Sequence, residues 1–245
     1  MDLSNFVLRN VLPTIIYIPN FITSVEEQRI LDKIGSSPKP KWTQLLSRRL
    51  INYGGIPHPK GMVAEEIPAW LNIYIEKVNR LGILGSLKAN HVLVNEYLPG
   101  QGIMPHTDGP LFTNTIATIS CGSHTILEFY KSSIEEEVID GNSRAMPSNE
   151  HTQSSYLYRK LLIEPRSLLI VKDALYTDYL HSISENKEDL LNECVCNLTN
   201  CGDFYQMGDR IARSKRISLT IRHVPKTTKF QLKWNGGSQC TGHPL

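Results

Sequence analysis

From His91 onward the chain alternates apolar and polar residues in short runs: HVLVNEY, NTIATIS, HTILEFY, LLIEPRSLLIVK, the region ending at LHSI, and RISLTIRHV. A two-residue period turns successive side chains to opposite faces of a strand, and the Gly, Pro and Asn turns between the runs separate one strand from the next. Ahead of them the period lengthens. A short strand around Ile15 to Ile18 precedes TSVEEQRILDKIG, where Ser24 and Glu27 have the spacing of a capping box and Gly35 is placed to end a helix. A second helix is predicted from Pro68 to Arg80, with Gly82 after it. The fold class that follows is mainly β with flanking helices (α+β), a sandwich or jelly roll with two helices outside one sheet.

Between the helices, SSPKPKWTQLLSRRLINYGGIPHPKG is rich in Pro and Gly and predicts loops around one short strand. Residues 132–156 and 185–209 are polar without steady period and read as surface insertions. The expected layout is a single domain: residues 13–85 with the helices and a lid, a β core over 86–226 carrying both insertions, and a tail over 227–245.

The strand alternation also sorts the polar residues. His91, Leu93, Asn95 and Tyr97 share one face of their strand, and Arg216, Ser218, Thr220 and Arg222 share one face of another, opposite Ile217, Leu219 and Ile221. An edge strand would turn the two arginines to water. A barrel that encloses a charged ligand would turn them inward.

Composition narrows the classes without choosing one. At 245 residues, 40% hydrophobic and 20% charged, the chain can bury a sizeable core and is neither disordered nor fibrous. No apolar run is long enough to span a bilayer, and MDLSNFVLRNVLP lacks a basic start followed by a long apolar core, so neither membrane insertion nor secretion is expected. Cytoplasm and nucleus are the expected compartments. Five cysteines make a disulfide framework a poor reading, and Cys194, Cys196 and Cys201 lack zinc-finger spacing. Asn197-Leu198-Thr199 fits a glycosylation acceptor by letter only. The net charge of +2 matters less than its distribution. From Lys33 to Ala64 there are six basic residues and no acid, and no acid follows Asp209. Such clustering suits a polyanionic partner or, alternatively, a solvated basic face.

Candidate chemistry begins at MPHTDGP, where His106 and Asp108 lie two apart in a loop-like run, so both side chains can reach one point. Two histidines and a carboxylate with open positions suit non-haem iron(II). The third ligand has to come from a distant strand, and His181 in DYLHSI follows an apolar strand and a turn. His58, His91, His124, His151 and His223 read more simply as surface or satisfied strand residues, and His243 as tail.

Taken in order, Asn95-x-Tyr97, His106-x-Asp108, His181 and Arg216-x5-Arg222 resemble the motif set of the AlkB family of iron(II)- and 2-oxoglutarate-dependent dioxygenases. The strings KPKWTQL, GGIPHPKGM and NHVLVNEYLPGQGIMPH narrow the resemblance to one branch, and it runs from about Pro13 to Lys226 without the two insertions. The resemblance implies a double-stranded β-helix with iron(II) held by His106, Asp108 and His181, and 2-oxoglutarate and O2 as cosubstrates. Arg216 would pair with the distal carboxylate of 2-oxoglutarate, Asn95 and Tyr97 would hydrogen-bond it, and Arg222 would lie nearby. Ser218 stands where the family usually has asparagine. In the family, 2-oxoglutarate is decarboxylated to succinate while a C–H bond of the substrate is hydroxylated, and a methyl on nitrogen then leaves as formaldehyde.

Nucleotide lids in this family precede the barrel, so the basic segment offers Trp42, Arg48, Arg49 and Tyr53 as candidate substrate-binding residues for alkylated RNA or DNA. Trp42 and Tyr53 could instead anchor the lid to the sheet, and in an extended chain at most one of the adjacent arginines faces the site. Several nucleic-acid-repairing members carry a carboxylate two residues past the metal aspartate. Here that position is Pro110, with Glu128 and Asp173 as possible substitutes. A protein or small-molecule substrate, and a nucleic-acid reader without catalysis, are the alternatives. A monomer is expected.

Overall fold

A computed structural model describes residues 1–9, 15–132 and 155–228. In chain order its strands begin with β1 (Ile15–Ile18), β2 (Thr43–Gln44), β3 (Arg49–Tyr53), β4 (Met62–Val63) and β5 (His91–Tyr97). They continue with β6 (Ile103–His106), β7 (Thr115–Cys121), β8 (Thr125–Ser132), β9 (Ser155–Ile163) and β10 (Leu168–Lys172). The last are β11 (Tyr179–Ile183), β12 (Glu188–Leu190), β13 (Arg210–Ala212), β14 (Arg216–Arg222) and β15 (Thr227–Thr228). Three α-helices join them: α1 (Ser24–Gly35), α2 (Ala69–Asn79) and the one-turn α3 (Ala174–Thr177).

Seven strands form a major sheet in the order β1-β10-β7-β14-β5-β3-β2, and four form a minor sheet in the order β6-β11-β8-β9. Every pairing within these two sheets is antiparallel. The alternation assigns each residue of the major sheet to a layer. Ile51, Val92, Val94, Ile119, Ile217, Leu219 and Ile221 face α1 and α2, where they pack with Ile30, Ile34, Leu71, Ile75 and Val78. The opposite face meets the minor sheet, and Ile116, Phe129, Leu161, Ile163, Leu169 and Val171 fill part of the space between. β14 lies between β7 and β5, and all seven of its residues are buried. The edge-strand alternative therefore fails, and Arg216 and Arg222 turn inward.

The cap of α1 sits one residue earlier than the sequence spacing suggests. Thr23 is the N-cap, its hydroxyl accepts from the Glu26 amide, and the Glu26 carboxylate accepts from the Thr23 amide. Glu27 is used elsewhere, accepting from the Gly122 amide at 2.9 Å and pairing with Arg166 at 3.2 Å. A tertiary contact thus takes the acid that local spacing assigned to the box. α2 runs as predicted, with Pro68 as its N-cap and Arg80 as its C-cap.

The basic segment holds more than one strand. β2 and β3 make a hairpin on the edge of the major sheet, and β4 pairs in parallel with β15. At Gly54 (φ +93°) an added Cβ would stand 2.2 Å from the Asn90 carbonyl oxygen, so only glycine lets the chain pass there.

Residues 185–209 are packed onto the β core and contain a strand of their own. Leu191 and Val195 pack with Ile126 and Leu162 on the outer face of the minor sheet, and β12 pairs with β13. The buried Asp189 receives two hydrogen bonds from Arg213, at 2.6 and 2.7 Å, while Arg213 also donates to the Ser184 carbonyl. Most of the other predicted insertion, the 229–245 tail, and His151 and His243 lie outside the described residues. Among the described residues no helix is long and apolar enough to cross a membrane.

Candidate active site

β6 and β11 run antiparallel with His106 directly opposite His181, which brings their ring centroids to 4.4 Å. Asp108 lies two residues beyond His106, and its Oδ2 is 3.8 Å from His181 Nε2. Its loop is tied down from two sides. Tyr176 donates from Oη to the Gly109 carbonyl at 2.6 Å, and Arg222 Nη1 donates to Asp108 Oδ1 at 3.0 Å. The Arg222 guanidinium in turn lies 4.1 Å over the Phe112 ring.

Protonation suits metal binding. His106 Nδ1 lies 2.8 Å from the Met104 carbonyl, an acceptor, so Nδ1 serves as a donor and Nε2 is the nitrogen left to face a metal. Burial pushes His181 down to about 4, against the opposing pull of Asp108, which leaves it neutral. Among the described residues no three such side chains converge on one point closely enough to be a finished cage. His106, Asp108 and His181 are nonetheless neighbours, and two imidazoles with one carboxylate are the donor set iron(II) takes.

Deeper in, Arg216 is buried with no carboxylate partner among the described residues. It donates from Nε and Nη2 to Ser120 Oγ at 3.2 and 2.7 Å, and its guanidinium lies 5.7 Å from the Tyr97 ring centroid. Burial lowers it to about 10. A buried guanidinium without a counter-ion is costly, so this position suits an incoming carboxylate, which its planar fork can bind with two bonds. In register on β5, Tyr97 stands opposite Arg216 and Asn95 opposite Ser218. A cavity of about 270 Å³ is lined by His106, Asp108 and His181 together with Asn95, Tyr97, Arg216, Ser218 and Arg222.

The candidate lid residues divide. Arg48 lines this cavity and donates from Nε to Asn95 Oδ1 at 3.2 Å. Arg49 points the other way, forming two bonds to Glu96 at 2.6 and 2.8 Å and lying 4.0 Å over Trp42. Trp42 and Tyr53 pack against the helix-side core, Tyr53 edge-on to Trp70, so neither reaches the cavity. The substitutes for the acid absent at Pro110 are not in place either. Glu128 is turned to the outer face of the minor sheet, bound by Lys160, Ser184 and Tyr130, and the side chain of Asp173 is 61% exposed.

Ser120, Phe112 and Tyr176 were not singled out from the sequence. The period of two in NTIATIS would have put Ser120 on the inward face with Thr118. Tyr176 depends on the turn at Asp173 (φ +53°), which no local pattern announces.

The model of the 2OG-Fe(II) oxygenase superfamily matches residues 40–222, the span that holds all of these side chains. The chain belongs to this superfamily. A Danio rerio protein described as "Probable RNA/DNA demethylase ALKBH6" is 47% identical, over 95% of this chain and 94% of its own length, which sets the chain within the AlkB family. An uncharacterized mimivirus protein, L905, is 31% identical over 85% of this chain and 84% of its own. Among solved structures, a 2OG-Fe(II) oxygenase from Burkholderia pseudomallei matches with a TM-score of 0.51 at 10% identity, covering 93% of each chain. That last likeness shows the fold, a jelly roll. As an AlkB-type member of the superfamily, the protein is a dioxygenase that uses iron(II), 2-oxoglutarate and O2.

Proposed function

We propose that this oxygenase removes methyl groups oxidatively from alkylated RNA or DNA, with His106, Asp108 and His181 as the iron ligands. The observation that carries the site is Arg216: a buried guanidinium without a carboxylate partner among the described residues, in the same cavity as two histidines and an aspartate. In this reading Arg216 takes the distal carboxylate of 2-oxoglutarate, with Tyr97 and Asn95 at its sides. Ser218, opposite Asn95 in the same cavity wall, is a further candidate contact to the cosubstrate, with a shorter reach than asparagine. Arg222 orients Asp108 by holding Oδ1, which leaves Oδ2 on the side of His181.

Iron with 2-oxoglutarate supplies the oxidising chemistry, and the chain supplies placement. The apolar wall of Leu127, Phe129, Ile163, Leu169 and Val171 keeps water from the reacting centre. Three features support a nucleic-acid substrate: the printed description of the zebrafish relative, the cationic Arg48 in the cavity, and the acid-free stretches of sequence.

The test is incubation of the iron-loaded protein with 2-oxoglutarate and a pool of methylated RNA and DNA oligonucleotides, followed by formaldehyde release and the mass of each strand. Loss of a methyl mass that stops in His106→Ala is the expected result. Succinate formed at a rate no oligonucleotide changes, with every strand intact, would move the substrate to a protein side chain or small molecule.

A further inference from the structure

The charges that line the cavity are unbalanced. Among the described lining residues, three guanidiniums, Arg48, Arg216 and Arg222, face the single carboxylate of Asp108, and Asp108 already accepts from Arg222. Bound iron(II) brings two positive charges and 2-oxoglutarate two negative ones, so the excess of positive charge survives both. Arg216 and Arg222 are almost fully buried, whereas Arg48 is half-buried at the base of the β2–β3 hairpin tip, whose Leu46 is fully exposed.

Arg48 is also under-used. Of its five N–H donors, Nε alone has a hydrogen-bond partner among the described residues, at Asn95, and no carboxylate pairs with it. Glu185 accepts from Ser47 at the hairpin tip and is outside the cavity wall. The acids that could have offset the charge, Glu128 and Asp173, are turned away, and residue 110 is proline.

We infer that the substrate group entering this cavity is a neutral N-methylated base whose methyl-bearing nitrogen is flanked by a carbonyl, and that Arg48 reads it by donating to that oxygen. N-methylation of an imide or lactam nitrogen, as in 3-methyluracil or 1-methylguanine, leaves the base neutral and keeps a carbonyl acceptor beside the methyl. Methylation of a ring nitrogen that has no proton to lose, as in 1-methyladenine or 3-methylcytosine, makes a cation. Such a cation meets like charge at close range in a low-dielectric site and finds no free carboxylate there. The selectivity is thus set by repulsion as well as by attraction. This inference rests on the nucleic-acid reading above and specifies its substrate class.

The test compares single-stranded oligonucleotides that differ in one methylated base, two neutral and two cationic. Binding to the anaerobic iron–2-oxoglutarate protein is measured by fluorescence anisotropy, and demethylation by mass spectrometry after oxygen is admitted. The wild type is expected to favour the neutral bases by about tenfold or more in kcat/KM, the discrimination one good base contact supplies. Arg48→Glu is expected to lower the neutral-to-cationic ratio by a similar factor. Because the readout is a ratio, any loss of 2-oxoglutarate affinity through Asn95 affects both classes alike. Equal or better turnover of the cationic bases overturns the inference and leaves the nucleic-acid reading standing. So does a uniform fall in binding for all four strands in Arg48→Glu, which would make Arg48 a phosphate contact. No binding of any strand by the wild type would remove the nucleic-acid reading, and this inference with it.

Discussion

Arg216 has only a serine hydroxyl as its hydrogen-bond partner among the described residues, and in the proposed function its missing counter-ion is the cosubstrate carboxylate. Arg216→Met is expected to raise KM for 2-oxoglutarate by about ten- to a hundredfold, the worth of a charge-assisted hydrogen bond, and steady-state succinate assays check it. Arg48 and Arg49 make a sharper comparison. Arg49 is bound to Glu96 and stacked on Trp42, outside the cavity, so Arg49→Ala should cost about 1 kcal/mol of stability and leave KM for 2-oxoglutarate unchanged. Denaturant titration beside the same succinate assay decides it. The sequence showed that these neighbours must diverge but not which one points inward. That choice is made by hairpin register, Gln44 against Arg49, and by Glu96 across the next strand.

His91 carries the clearest pH dependence. Burial holds it down to about 3, with Arg222 adding to the effect and Asp108 opposing it, and its Nδ1 has no hydrogen-bond partner among the described residues. In the unfolded chain it titrates near 6.5. Above that pH both states are neutral and its titration leaves stability unchanged. As pH falls from about 6.5 toward 3, the unfolded state takes up the proton first, and stability drops by up to ~1.4 kcal/mol per pH unit. Urea midpoints at pH 7 and pH 5 should therefore differ less in His91→Gln than in the wild type. An unchanged difference would place the lability elsewhere.

At the scale of elements, the β alternation was legible wherever one face meets helices and the other meets the cavity. Apolar residues of β7 and β10 divide between the helix layer and the cavity layer by simple parity, while Ile217, Leu219 and Ile221 of β14 all face the helices. The capping box was misplaced by one residue because Thr23 and Ser24 offer equivalent local chemistry. Glu27's tie to Gly122 and Arg166 breaks the degeneracy through contacts about a hundred residues away. The 185–209 segment was unreadable for a related reason: its fixing residues, Asp189 and Arg213, look like ordinary surface charges until they meet. Their buried pair clasps β12 to the residue that follows β13, and Asp189→Asn should cost about 3 kcal/mol by stranding the Arg213 charge. A lower denaturant midpoint with an unchanged slope would confirm it, and a loss below 1 kcal/mol would show that the clasp carries little.

At the scale of the whole molecule, two antiparallel sheets place a histidine pair on adjacent strands of the minor sheet and an arginine-bearing strand at the middle of the major one. Residues up to 174 positions apart thereby line one cavity, as with Arg48 and Arg222. The most direct test of this arrangement is anaerobic addition of iron(II) and 2-oxoglutarate, followed by the visible metal-to-ligand charge-transfer absorption of the chelated complex. The wild type should develop that band. His106→Ala and His181→Ala should not develop it at any 2-oxoglutarate concentration, and Arg216→Met should need far more 2-oxoglutarate. A band of full intensity in either histidine variant, with wild-type 2-oxoglutarate affinity in Arg216→Met, would contradict the assignment of the site.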